Sequence, residues 1–102
     1  MQTGRAILVL GDAPLSEASF EEAATYAEVF VLARAVPDRA ASFVVDDELA
    51  DRRARQRLRQ VAARLATRGT RVRGHVGTAD ADAARRDALA LFPQPSMVLE
   101  AA

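Results

Sequence analysis

The chain has no cysteine, no lysine and no tryptophan, a single histidine, and no net charge, with 14 basic residues balancing 14 acidic ones. Each absence excludes something. Without cysteine there is neither a disulfide nor a thiolate metal site. With His75 as the sole imidazole, a multi-histidine metal centre within one chain is excluded as well. Without an excess of positive charge, long-range attraction to nucleic acid or an acidic membrane is weak. No apolar run approaches the ~18 residues that a membrane span needs. The run that follows Arg5 is cut off at Asp12, too soon for a signal peptide. These points predict a cytoplasmic protein with no membrane partner, no nucleic-acid partner and no metal.

What is present suits an ordinary globular domain. Of the 102 residues, 50% are hydrophobic and 27% charged. That length makes residues 1–102 one domain. Folding should bury roughly 60–70% of the extended chain's surface, enough for a core without covalent staples.

Four short apolar runs alternate with three helix-like stretches. The runs are Ala6 to Leu10, Val29 to Leu32, Arg71 to Val76, and Met97-Val98-Leu99. The order reads β-α-β-α-β-α-β, a parallel sheet wrapped by helices. The first strand, Arg5–Leu10, and the second, Glu28–Val36, lack alternation and therefore read as covered on both faces. Gly11-Asp12-Ala13-Pro14 ends the first, and Pro37 the second. A first helix opens near Ser16 or Ser19, where Ser19 with Glu22 fits a capping box. Phe43, Val44 and Val45, in the longest connection, are too apolar to be fully solvated. From Asp46-Asp47-Glu48 a long helix runs to about Arg68. It carries an inner stripe of Ala50, Ala54, Leu58, Val61, Ala62, Leu65 and Ala66. Pairs Glu48–Arg52 and Asp51–Arg55 lie at i, i+4, and Gly69 is the expected residue after the helix end.

The third strand, Thr70–Val76, alternates: Val72, Gly74 and Val76 share one face, and Arg71, Arg73 and His75 the other. This reads as an edge strand with one wet face. A third helix, about Asp80–Leu91, has an apolar stripe of Ala84, Ala88 and Leu91. Ser96–Glu100 is the last strand.

In such sheets ligands sit beyond the carboxyl ends of the strands. That makes Asp12, with Gly11, one candidate binding position and the turn at Gly77 another. Asp12 also reads as a turn aspartate bonding nearby backbone. Asp80 and Asp82 at the start of the third helix disfavour an anion there. His75 has no nucleophile or orienting partner nominated by the sequence. The arginines of the long helix read as a solvated, salt-bridged face, since no aromatic residues interleave for base stacking. No nucleophile, base and orienter converge, so the sequence predicts no enzyme.

The stretch Gly69–Leu89 resembles the universal stress protein family, and within it short relatives carrying a GV-x-x-x-G-x-VGDADP-x-x-AI-x-DAL pattern. Gly69, Gly74, Val76, Gly77, Ala79, Asp80, Ala84, Asp87, Ala88 and Leu89 stand where that pattern expects them. The opening Ala-Ile-Leu-Val-Leu strand and Asp46-Asp47 before an Ala- and Arg-rich helix are similar too. Thr78, Ala81 and Arg85 depart from the pattern.

The resemblance implies a Rossmann-like three-layer α/β/α domain with strand order 3-2-1-4, and a role in stress response. It places Asp12 where the family's aspartate contacts the nucleoside part of ATP. ATP-binding members carry a glycine-rich loop, a helix and a fifth strand after the fourth. Here only Ala101 and Ala102 follow Glu100, so the family's phosphate-binding residues have no counterpart and ATP is not expected as a cofactor. In the family's strand order the fourth strand then lies at the sheet edge. Met97, Val98 and Leu99 would form an apolar edge suited to pairing with a second chain. The combined expectation is a small non-catalytic binding or interaction module that forms a homodimer. The alternative is a domain holding an adenine nucleotide or other small ligand near Asp12.

Overall fold

A computed structural model describes residues 3–36 and 47–101. The expectations placed on Pro37, Phe43, Val44, Val45 and Asp46 lie outside those residues. The elements are β1 (Arg5–Leu10), α1 (Glu17–Ala23), β2 (Glu28–Arg34), α2 (Asp47–Thr67), β3 (Arg71–Gly77), α3 (Ala81–Leu91) and β4 (Met97–Glu100). The four strands form one parallel sheet in the order β3-β2-β1-β4. The fold is a Rossmann-like α/β arrangement with helices on both faces.

The strand order dictates where the helices go. Parallel crossovers are right-handed. The chain steps outward from β1 to β2 to β3, so α1 and α2 lie on one face. It then returns past β1 to β4, which sends α3 to the other. The core divides accordingly. Ala6, Leu8 and Leu10 of β1 and Val29, Val31 and Ala33 of β2 pack under α1 and α2 against Phe20, Ala54, Val61 and Leu65. Ile7, Val9, Phe30 and Leu32 face α3 and meet Ala84, Ala88 and Phe92. The unbroken apolar runs in β1 and β2 thus reflect double-sided burial, as in other parallel sheets.

The helix ends follow local chemistry. Ser16 caps α1, its hydroxyl accepting from the Ser19 N–H at 3.1 Å. The Ser19–Glu22 box is therefore not the cap, because the helix begins three residues before it could act. At the end of α2, Gly69 adopts φ +83°. Gly69 N–H donates to the Ala66 carbonyl at 3.0 Å and Thr70 N–H to the Leu65 carbonyl at 3.2 Å, the paired bonds of a Schellman stop. Asp80 caps α3 by accepting from the Ala83 N–H.

Three details of the sequence reading are corrected. β2 stops at Arg34, where Val36 N–H turns back to the Arg34 carbonyl. Leu91 is 49% exposed, and Phe92 is the third residue of the α3 stripe. The reason is that α3 ends at Leu91, and Phe92, at φ −138°, swings into the sheet. There its ring lies 5.5 Å from Phe30 and beneath the Arg5 guanidinium, 3.9 Å away. Ala66 in α2 is exposed rather than part of the stripe. Of the two intrahelical pairs, Asp51–Arg55 closes at 2.7 Å.

Phe92 is the largest fully buried side chain among the described residues and anchors a helix whose other buried residues are alanines. Replacing it by alanine removes most of the contact on that face. Urea unfolding of Phe92→Ala should show a loss of about 3–5 kcal/mol, against less than about 0.5 kcal/mol for the exposed Leu91→Ala.

Candidate functional site

The site lies at the carboxyl ends of the strands, and Gly11-Asp12-Ala13-Pro14 creates it. Leu10 and Gly11 are buried, β1 ends at Leu10, and the chain bends at Asp12 and Ala13. The chain then turns outward before Ser16 starts α1. The turn leaves a cleft of about 440 Å³ between itself and α2. Its apolar lining is Leu10, Ala13, Pro14, Leu15 and Val61, with Arg57, Gln60 and Arg64 on the α2 wall. This size and mix of apolar walls with a few polar groups suit a small organic ligand.

The cationic residues on that wall are held differently. Arg64 donates to both carboxylate oxygens of Glu17, at 3.0 and 3.2 Å, and its guanidinium lies 3.9 Å from the Phe20 ring centre. It fastens α1 to α2. Arg68 does the same through Glu21 and a second approach to Phe20. Arg57 has a different setting. Its Nη2 donates to the Arg34 carbonyl at 3.0 Å, while its Nε is buried with no hydrogen-bond partner among the described residues. Burial lowers the Arg57 pKa from the ordinary arginine value. The Asp12 carboxylate opposes that shift, and Arg53 and Arg34 reinforce it. Arg57 therefore stands as a partly desolvated cation beside the cleft with an unused donor.

Arg34 completes the edge. Its Nη1 donates to the Ala79 carbonyl at 2.7 Å, tying the end of β2 to the turn before α3. A second, smaller cavity of about 270 Å³ lies on the α3 side of this edge, lined by Val9, Arg34, Ala81, Glu100 and Ala101.

Of the residues singled out from sequence, Gly11 and Asp12 lie in the turn that borders the cleft, between Leu10 and Ala13, but are not part of its lining. Asp12 is exposed and contributes through its field at Arg57. Gly77 lies on the same edge but two strands away, with β2 between. A Cβ there would come 2.7 Å from Leu32 Cδ2, and its carbonyl accepts from Ala35 N–H at 3.0 Å. Its small size serves packing on Leu32. Met97, Val98 and Leu99 lie in β4 at the sheet edge, in register with Ala6, Ile7 and Leu8 of β1. Met97 is 43% exposed, whereas Leu99 packs into the core beneath α1 and α2. Among the described residues, no three acidic or histidine side chains gather in a way that could hold a metal ion. No helix there is long and apolar enough to cross a membrane.

The sequence reading missed Arg57 by placing all the arginines of α2 on a solvated face. The signal was present in the spacing. Position 57 lies three residues after the buried Ala54 and four before the buried Val61, so it shares their arc of the helix.

A strut and a binding group respond differently to Arg57→Met, which keeps the stem and removes the charge. The lost bond to the Arg34 carbonyl is offset by the desolvation no longer incurred. Urea unfolding should therefore give a stability within about 1 kcal/mol of the parent. A loss above about 2 kcal/mol would identify Arg57 as structural. Comparison with known proteins adds no relative: no protein-family model, no curated protein and no solved structure matches the chain.

Proposed function

We propose that the chain is a universal-stress-protein-like, non-catalytic binding module whose ligand is a small anion with a flat apolar body, such as a nucleoside monophosphate, seated in the cleft beside Arg57. The observation that supports it is the buried Arg57 Nε without a partner at the wall of an apolar cleft. A buried donor left unsatisfied costs free energy, about 1–3 kcal/mol. An incoming phosphate or carboxylate would recover it through a charge-assisted bond. Leu10, Leu15 and Pro14 would cover the apolar body. Among the described residues, nothing around the cleft pairs a nucleophile with a base, which favours retention over reaction.

Thermal unfolding with AMP, adenosine and benzoate tests this. AMP at 100 times its dissociation constant should add about 2.7 kcal/mol, and the gain should disappear in Arg57→Met. Adenosine, which lacks the anion, should add little. An unchanged melting curve with all three ligands would remove the basis for the reading.

A second element of the proposal is a homodimer through the β4 edge. Among the described residues, β4 pairs with β1 on one side only. Met97, Leu89 and Leu91 expose 43%, 38% and 49% of their surfaces on β4 and the adjoining α3. Open apolar edges are commonly paired or protected. The Arg85–Glu100 ion pair ties α3 to this strand. Light scattering should give a dimer mass that falls to the monomer value in Met97→Asp. A parent protein that stays monomeric as its concentration rises argues against the dimer.

A further inference from the structure

The opposite edge of the sheet has a different character. Among the described residues, β3 pairs only with β2. The ladder settles which of its backbone groups are used. Arg71 N–H donates to the Ala27 carbonyl at 2.9 Å, and the Gly77 carbonyl accepts from Ala35 N–H at 3.0 Å. In a parallel ladder, alternate residues turn both their groups to the same neighbour. Residues 71, 73, 75 and 77 therefore bond to β2. The N–H and C=O groups of Val72, Gly74 and Val76 point away from the sheet.

Cations flank this open row on both faces. On the face shared with α3, Arg71, Arg73 and His75 are exposed. α3 does not cover them, because it packs over β1 and β2. On the other face, a groove of about 270 Å³ runs between β3 and α2, lined by Arg55, Arg59, Leu58, Gly74 and Val76, with Asp51. Its floor is the exposed Gly74 backbone. A Cβ at Gly74 would come 2.6 Å from Leu58 Cδ1, so the groove depends on glycine there. Two carboxylates answer this charge. Asp51 holds Arg55 at 2.7 Å, and Glu28 lies 4.0 Å from Arg71. Among the described residues, Arg59 and Arg73 have no acidic partner, one on each side of the open edge.

We infer that the β3 edge is a docking seam for an extended acidic peptide from another protein, which adds to the sheet as a fifth strand beyond β3. Peptide addition to a sheet edge draws affinity from main-chain bonds and specificity from alternate side chains. Here the main-chain partners are Val72, Gly74 and Val76. Alternate carboxylates of the peptide reach Arg55 and Arg59 on one face and Arg71 and Arg73 on the other. The same charges disfavour a second copy of this chain, which would bring its own Arg71 and Arg73 to the seam. The site is independent of the Arg57 cleft, which lies at the strand ends on the far side of β2.

The probe is a short fluorescein-labelled peptide repeating Glu-Glu-Val-Val, which sets carboxylates on both faces of an extended strand, titrated by anisotropy into the full chain. It should bind, and its lysine–valine counterpart should not. Arg59→Glu/Arg73→Glu, with both positions solvent-exposed and the fold checked by its thermal melt, should weaken binding about tenfold or more. Hydrogen exchange should slow at the Val72, Gly74 and Val76 amides and stay unchanged at Arg71, Arg73 and His75. Strand addition is overturned if a peptide methylated on its backbone nitrogens binds equally well. It is also overturned if an oligothymidylate of equal charge binds as tightly, or if the new protection appears on β4.

Discussion

The structure depends on taking two strands, β1 and β2, entirely out of water. Every residue from Ala6 to Leu10 and from Val29 to Ala33 is buried. Their backbone groups are satisfied by parallel neighbours on both sides. Such strands tolerate no polar side chain without a partner, so polar chemistry is driven to the strand ends and to the outer strands. That displacement places Asp12, Arg34 and Arg57 along one edge of the sheet. It also leaves β3 and β4 to carry whatever the molecule shows to others.

The arginines illustrate how one side chain serves unlike ends. Arg5, Arg64 and Arg68 lay their flat guanidinium groups over Phe92 and Phe20 while pairing with Glu28, Glu17 and Glu21. They act as covers whose charge is neutralised nearby. Arg57 is drawn in by the helix arc it occupies and, among the described residues, finds only a backbone carbonyl as hydrogen-bond partner. An amphipathic stem makes the first use possible. An always-charged head makes the second expensive and chemically useful.

How much was legible depended on what each residue answers to. The double burial of β1 and β2 and the exposure of Arg71, Arg73 and His75 on β3 follow from runs and alternation. The strand order came only from the family resemblance, and the exposed Gly74 on the other face of β3 has no counterpart in the alternation. The N-cap of α1 was misplaced because Ser16 and Ser19 satisfy the same local rule, and only the path of the preceding turn decides between them. Leu91 and Phe92 were exchanged because the chain leaves helical geometry at Phe92, whose φ of −138° turns its ring into the sheet beside Phe30. The Arg57 cleft was illegible because it arises from the fit of a turn against a helix distant in sequence. Residue type alone made Arg57 look like its solvated neighbours.

The one-helix cover on the α3 face has a consequence for how the molecule is made. Ile7, Val9, Phe30 and Leu32 are synthesised early, but the alanines and the aromatic ring that shield them come from Ala84, Ala88 and Phe92. A ribosome building the chain from its amino terminus must extend it more than fifty residues past Leu32 before that side of the nascent sheet can close. Over that interval the half-made protein carries an oily flank with no lid. It is then at its most vulnerable to sticking, and it gains most from a chaperone that shields one face of a sheet.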